Sequence, residues 1–512
     1  MMVQFFTFVA ASLGLASTFR AIPSALLPSA IRSHAVSSPC ARGRLNARSR
    51  LVCQASSAVL AKEEGVKRPP LGIYVVVLGG GPVGLATCAG LLGLEHIRKV
   101  TVVEKGPRDL EKDGPFSNMI GLGARAQNNL NAISANIMDN IKPNALPSGP
   151  GSVMTDRAGI RKGLYTMLLD THGETGRSEL LFDTSATAID TEKKEVALDS
   201  GHSVGYDVLV LADGVHSPNG DMLDIPSLRA RKYAHYDAFK ILNLPPLPEP
   251  HNDPPRFHSF NTRHRTQADL TDVYQRKVFF SLFPRKDGTY VAILRFPLTD
   301  GKNPRGITTA QELKSLILSM APTNATLADV YAPYLSAALT DDKMQACVDM
   351  YPRAFWSTKR KSIVEADRGI VLVGDAAIGF PSALGIGTAR GFEDATHLVR
   401  SLRGAAEAAE GAGERCSKED TIAAGLREYE PEVLRERRAM CDVTVLAMQA
   451  TDTPWLVMPK QVMGPIMDAD RKYSAVKKDW PSRIWIWLAR LTYSTRRVAS
   501  PAADSLRASY KK

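Results

Sequence analysis

Between residues 74 and 104 the chain reads YVVVLGGGPVGLATCAGLLGLEHIRKVTVVE. No other stretch narrows the fold so far. An apolar run, Tyr74 to Leu78, passes straight into Gly79-Gly80-Gly81-Pro82-Val83-Gly84. A helix-compatible segment follows, then a second apolar run, Val100 to Val103, that ends in Glu104. As strand, turn, helix and strand, each part has a physical use. Gly79 permits the tight turn, Gly81 lets a pyrophosphate approach the backbone, and Gly84 lets the helix pack close to the strand. Pro82 and Val83 complete the turn into the helix. The helix N-terminus offers unpaired N–H groups and the positive end of its dipole to phosphates. Glu104 falls at the end of the second strand, where a carboxylate accepts both ribose hydroxyls. The stretch predicts a dinucleotide-binding βαβ unit; the alternative is a glycine-rich turn in an unrelated α/β protein.

A chain of 512 residues is long enough for two or more domains, and 44% hydrophobic with 23% charged residues is an ordinary globular balance. The net charge of +11 is unevenly placed. Residues 1–55 hold six arginines, eight serines and no acid, and the first acid is Glu63. That composition predicts an organelle transit peptide. Val52-Cys53-Gln54-Ala55 resembles a chloroplast processing site, so the expected compartment is the chloroplast, with the mitochondrion as the alternative and a two-step leader into a complex plastid also open. Without those six arginines the body carries +5, which gives no reason to invoke nucleic acid. The six cysteines show neither CxxC nor metal spacing, which argues against a disulfide framework or a zinc site. No metal is expected.

Along the chain, 56–72 reads as a linker. Short strands are expected at Leu180–Phe182, Ala186–Asp190, Glu195–Leu198 and Tyr206–Leu211. Residues 226–300 are rich in proline and β-formers, with a hairpin signal where Lys286-Asp287-Gly288 separates Val278–Leu282 from Tyr290–Phe296. Helical periodicity returns at 309–349. A buried strand, Gly369–Val373, leads into Gly374-Asp375, and from 389 onward the pattern is helical. The stretch 404–420, small and polar, is expected to be a surface loop.

Two further motifs specify the dinucleotide. Val208 to Leu211 runs into Ala212-Asp213-Gly214-Val215-His216-Ser217, a strand ending in Asp-Gly before a turn. Ile370 to Val373 runs into Gly374-Asp375, then Pro381, then Gly385-Ile386-Gly387. The second motif sets a carboxylate beside a ribityl chain and aims a new helix N-terminus at the flavin edge where negative charge gathers on reduction. In this order and with these separations, the three motifs resemble the FAD-dependent aromatic hydroxylases, the single-component flavoprotein monooxygenases. Within that family the chain is most similar to kynurenine 3-monooxygenase, over about residues 73–400. The resemblance also rests on Ile120 to Arg125, Thr155 to Leu164, Lys240 to Pro246, Phe280 to Tyr290 and Gly391 to Asp394.

The resemblance implies an α/β (α+β overall) fold of the p-hydroxybenzoate-hydroxylase type. The expected organisation is a transit peptide at 1–55, a linker at 56–72, a discontinuous Rossmann-like FAD-binding domain at 73–225 and 366–403, an inserted β-rich substrate domain at 226–365, and a C-terminal helical region at 404–512. It implies FAD as cofactor and NAD(P)H as reductant, with O2 and a small molecule as substrates. It assigns Glu104 to the adenosine ribose, Arg157 to the diphosphate and ribityl region, and Asp375 to the flavin side. Gly387, Thr388 and Ala389 offer backbone groups to the isoalloxazine. Arg125, Asp213, Gly214, Pro381 and Gly385 complete the cofactor-binding candidates; taken alone, Arg125 or Arg157 would read as a solvated helix charge. No catalytic base is identified, since His258 and His264 read as structural or exposed.

The departures from the family bear on substrate and reductant. Ile378 stands where the family usually has His, and the family's GQG is Gly385-Ile386-Gly387. The family's Arg three residues after the Asp-Gly motif's Ser is Gly220 here, which bears on cofactor ordering and the approach of NADPH. Kynurenine enzymes grip the substrate carboxylate with an Arg and a Tyr that would fall within 126–156, and this chain has neither there. A less anionic substrate than kynurenine is expected, with hydroxylation or epoxidation of a small aromatic or isoprenoid-type molecule as the activity. The alternatives are an FAD-dependent reductase or dehydrogenase without oxygen insertion, and a flavin-binding redox protein. Four of five tryptophans lie in the last 58 residues, and Ile484, Trp487, Leu488 and Leu491 follow helical spacing among arginines. That tail either caps the flavin domain or makes a peripheral membrane contact.

Overall fold

The computed structural model describes residues 71–108, 119–149, 151–248, 258–261, 278–297, 301–321, 325–381, 385, 387–412 and 416–452. The expected transit peptide at 1–55, the expected linker as far as Pro70, His264, Ile386 and the tryptophan-rich tail lie outside the described residues.

The chain opens with β1 (Ile73–Leu78), α1 (Pro82–Leu92) and β2 (Ile97–Val103). β1 and the end of β2 are buried apart from Tyr74 because they lie inside a parallel sheet, where apolar side chains are wanted on both faces. α1 buries every residue but Val83, and its small residues suit it to close packing. A Cβ at residue 84 would fall on the carbonyl oxygen of Gly79, and one at residue 90 would lie 2.6 Å from Val399. Then follow β3 (Met119–Leu122), α2 (Ala124–Ile133), α3 (Ile137–Ile141), β4 (Leu146–Gly149), β5 (Ser152–Asp156) and α4 (Arg157–His172). β6 (Ser178–Leu181) adds to β2, and β7 (Ala186–Asp190), β8 (Glu195–Leu198) and β9 (Ser203–Gly205) form a small antiparallel sheet. β10 (Val208–Leu211) then pairs with the free side of β1. The short helix α5 spans Pro218–Met222.

The inserted sheet is antiparallel. It consists of β11 (Arg231–Leu244), β12 (His258–Asn261), β13 (Phe279–Pro284), β14 (Tyr290–Pro297) and, after three helices, β15 (Arg353–Lys359), in the order β12-β13-β14-β11-β15. The turn between β13 and β14 is the expected one: Gly288 takes φ +82°, and the Asp287 carboxylate accepts from the Thr289 N–H at 2.9 Å. Helices α6 (Ala310–Met320), α7 (Ala325–Ala338) and α8 (Asp341–Asp349) cover one face, where Leu242, Phe280, Leu294 and Phe296 meet Leu313, Ile317 and Leu335. The two-residue alternation of the strands puts Phe239, Ile241, Val291 and Phe355 on the other face, with Met119 from β3 packed against them.

The chain then returns to the first sheet. β16 (Val364–Glu365) and β17 (Ile370–Leu372) complete the order β16-β17-β10-β1-β2-β6, parallel except for β16. The insert thus ends at Lys359, a few residues before the expected 365. The small helix α9 (Gly374–Ile378) precedes the long helices α10 (Gly387–Ala412) and α11 (Lys418–Asp452), which pack on each other, α10 also on α1 and α2. The loop expected at 404–420 is corrected: helix continues to Ala412. Alanine and glutamate are strong helix formers, and their weight exceeds that of the intervening glycines.

Among the described residues no helix is long and apolar enough to cross a membrane, no cluster of His, Cys, Asp and Glu is grouped to hold a metal, and all four cysteines are free thiols. Gly84→Ala, which drives a Cβ into the Gly79 carbonyl, is expected to destabilise the protein by about 1–3 kcal/mol. Chemical denaturation of wild type and variant measures this; equal midpoints would contradict the close packing of α1 on the turn.

Candidate cofactor site

The site lies beyond the C-terminal ends of β1, β2, β10 and β17, where an open parallel sheet leaves room for a ligand. Its floor is the turn Gly79–Gly84. Gly79 takes φ +112°, and a Cβ there would lie 2.6 Å from the Ala212 carbonyl oxygen, so the end of β10 presses directly on the turn. The N-cap of α1 is Gly81 and no side chain caps it. Its first-turn N–H groups are therefore available to an anion.

At the end of β2 the Glu104 carboxylate accepts from the Gly80 N–H and the Gly106 N–H, each at 2.7 Å. Those bonds fix its orientation and leave lone pairs for hydroxyl donors. Across the turn, α4 points two arginines at the glycines. Arg157 Nη2 lies 3.4 Å from where a Gly81 Cβ would stand, and Arg161 Nε donates to the Gly80 carbonyl at 3.2 Å. Arg161 is absent from the sequence-based candidates. Its signal was the i, i+4 spacing from Arg157, which places both residues on one helix face. The N-cap of α4 is Asp156, which accepts from the Gly159 N–H at 2.8 Å and so sets Arg157 in the first turn.

Asp375 sits in the first turn of α9. Its carboxyl is pushed upward by burial and pulled back by the charges of Arg437 and Arg157. Even so, 44% of its side-chain surface is exposed, as for a carboxylate at the bottom of a cleft. A Gly387 Cβ would lie 4.0 Å from Asp375 Oδ1, so the start of α10 closes on the same point. Thr388 and Ala389 occupy the first turn of α10, half-buried; Gly385 takes φ +66° before it, and Pro381 is buried. Asp213 and Gly214 form the turn after β10, with Asp213 Oδ2 accepting from the Asn219 N–H at 2.9 Å. Val83 packs against both Gly374 and Gly391, where added Cβ atoms would meet it. The Arg125 guanidinium forms an ion pair with Glu393 of α10.

Behind Asp375 lies a residue that sequence reasoning missed. Arg437, on α11, is 2% exposed. Its Nε lies 2.7 Å from Asp394 Oδ2, its Nη1 donates to the Ile378 carbonyl at 2.9 Å and stands 3.6 Å from Asp375 Oδ1, and its guanidinium lies 5.6 Å from the Phe380 ring. Asp394 also accepts from the Gly374 N–H at 2.8 Å. Burial pushes the Asp394 carboxyl up to about 7, against the pull of Arg437. A cavity of about 580 Å³ lies elsewhere, between the central sheet and β8–β9, lined among others by Tyr74, Lys99, Thr101 and His202; none of the cofactor candidates lines it.

No family model and no curated protein sequence matches the chain. Solved structures do. One is PqsL of Pseudomonas aeruginosa, described as a probable FAD-dependent monooxygenase. In its complex with 2-aminobenzoylacetate it overlays with a TM-score of 0.54 at 16% identity, covering 75% of this chain and 98% of that one. The tetrameric form of 2-methyl-3-hydroxypyridine-5-carboxylic acid oxygenase overlays with a TM-score of 0.50 at 18% identity, covering 74% and 93%. The chain has the fold of the FAD-dependent monooxygenases. Its residues fit the cofactor of that fold. Added Cβ atoms would fill the glycine turn, two arginines face it, and carboxylates stand at three strand ends.

Arg437→Met is expected to cost about 3–5 kcal/mol, because it leaves the Asp394 carboxyl buried without its cation. Adding Asp394→Asn should recover part of that loss. Urea unfolding of the two variants decides the matter, and additive losses would disprove the coupling.

Proposed function

We propose that this chain is an FAD-dependent monooxygenase that uses NAD(P)H and O2 to hydroxylate or epoxidise a small aromatic or isoprenoid-type substrate. The observation that carries this reading is the convergence of Glu104 and Arg157 on one glycine turn, with Asp375 within reach of the Arg157 charge, in the monooxygenase fold. When bound, FAD supplies the redox chemistry, taking electrons from NAD(P)H and passing them to O2.

The chain's own residues bind, orient and exclude water. Glu104, held by two N–H groups, accepts the ribose hydroxyls. The N-terminus of α1, with Arg157 and Arg161 opposite, neutralises the diphosphate. Asp375 would accept from the ribityl hydroxyls of a bound FAD, and the first turn of α10 at Gly387, Thr388 and Ala389 would offer N–H groups to its flavin. The second face of the inserted sheet is an apolar wall of Phe239, Ile241, Phe283, Ile293 and Phe355. Such a wall suits an aromatic or lipophilic substrate and keeps water from the reacting atoms. On it Arg295 lies 5.5 Å from the Phe279 ring and 5.6 Å from the Phe355 ring.

Kynurenine is not the substrate in this reading. Residues 126–156 hold no arginine or tyrosine, and their one basic residue is Lys142, 55% exposed and 3.7 Å from Asp139. The leader composition supports delivery to a chloroplast.

Protein beginning near Ser56 should be yellow with non-covalent FAD. Glu104→Ala should weaken FAD binding by roughly ten- to a hundredfold, the worth of one charge-assisted hydrogen bond. A colourless protein that ignores added FAD would refute the assignment. With ¹⁸O-labelled O2 and a panel of plastid phenols, quinones and isoprenoids, label should enter a product. NADPH oxidation that only releases peroxide, whatever the substrate, would favour the reductase alternative. Kynurenine should leave the NADPH oxidation rate unchanged; stimulation at micromolar concentration would show that another cation replaces the missing clamp.

A further inference from the structure

The turn after β10 is built around a buried arginine that comes from a distant segment. Arg360, just beyond β15, is 4% exposed. Its Nη1 donates to the Leu228 carbonyl, and its own carbonyl accepts from Arg438 Nη2 at 2.9 Å, so both ends of the residue are anchored. Its Nε and Nη2 have no hydrogen-bond partner among the described residues. Those two nitrogens form the edge of a guanidinium that grips an oxygen pair side-on. The Asp213 carboxyl and the Ser217 hydroxyl beside it are likewise buried, and the hydroxyl helps hold the carboxyl's charge. Two unmatched guanidinium nitrogens at one buried site are unusual in a folded protein.

Gly220 stands beside the guanidinium. A Cβ there would lie 2.6 Å from Ser217 Oγ and 3.4 Å from Arg360 Nη2. The turn itself is strained, with Ser217 at φ +36° and fully buried, so something must hold it. The Arg360 charge acts on Asp213 and Asp221, and burial works against charge on both Arg360 and Asp213. Each is therefore poised to gain from the other. The turn in question carries Ala212, whose carbonyl presses on Gly79, and Val215, which a Gly379 Cβ would meet. It joins the first glycine turn to the segment after Asp375.

We propose that Arg360 is a positioning residue for cofactor binding. Lying beside Gly220, its charge holds the Asp213–Ser217 turn in the shape that closes the FAD cradle, without touching the cofactor. This rests on the FAD reading above, and the two fail in different experiments.

The test is a flavin titration of apoprotein, with thermal unfolding of each apoprotein as the control for folding. Arg360→Met should weaken FAD binding by about tenfold, the loss expected when a buried carboxylate is deprived of a neighbouring cation. Arg360→Lys, which keeps the charge but not the two-nitrogen edge, should fall between. Unchanged FAD affinity in Arg360→Met overturns the proposal while leaving the FAD reading intact. A wild type that takes up no FAD overturns both. Should Arg360→Met fail to fold, Arg360→Lys carries the test, since it keeps the charge and loses only the two-nitrogen edge. Weakened FAD binding in that variant supports the proposal, and wild-type affinity overturns it.

Discussion

A guanidinium cannot be taken out of water without compensation, and the compensation assembled around Arg437 orders much of the molecule. Asp394 on α10 faces it, and so does Asp375 at the start of α9. The same Asp394 oxygen takes the Gly374 N–H, so the position of α9 and the neutralisation of Arg437 are one arrangement. From there the contacts pass along the sheet. β17 pairs with β10, the end of β10 lies on Gly79, and Gly79 carries the carbonyl against which Gly84 and α1 are fitted. The C-terminal helix is thus part of the cofactor cradle's construction although none of its residues lies in a cofactor motif.

The division between what could be read in the sequence and what could not follows the sign of the charges. The carboxylates of the site stand at strand ends, within a few residues of the glycines they serve. Glu104, Asp213 and Asp375 were therefore legible as parts of local patterns. Most of the cations were not. Arg437 meets Ile378 across 59 residues, and Arg360 meets Leu228 across 132. Nothing near either arginine in sequence announces its partner, because burial and pairing are settled by tertiary packing. Arg157 was found only through the family resemblance, and Arg161 could have been found from it. Arg125 alone read as a solvated helix charge, and its ion pair with Glu393, across 268 residues, is another contact that local sequence does not announce.

Element boundaries show the same separation of local from distant causes. The hairpin at Asp287-Gly288 formed where turn chemistry demands it. The strands at Ala186–Asp190 and Glu195–Leu198 stand where alternation put them, whereas β6 begins two residues early, at Ser178, because its register is fixed by β2. The small, polar stretch after Gly404 looked like a loop, yet the helix α10 runs through it to Ala412.

The discontinuity of the first sheet has a consequence for how the protein comes to be made. β17 and β10 are neighbours, but the whole inserted sheet and its helices are synthesised between them. Contacts of such long sequence range form late, because the entropy of closing the intervening chain must be met first. The nascent chain exposes a half-built nucleotide cleft until α11 has emerged and Arg437 has found Asp394.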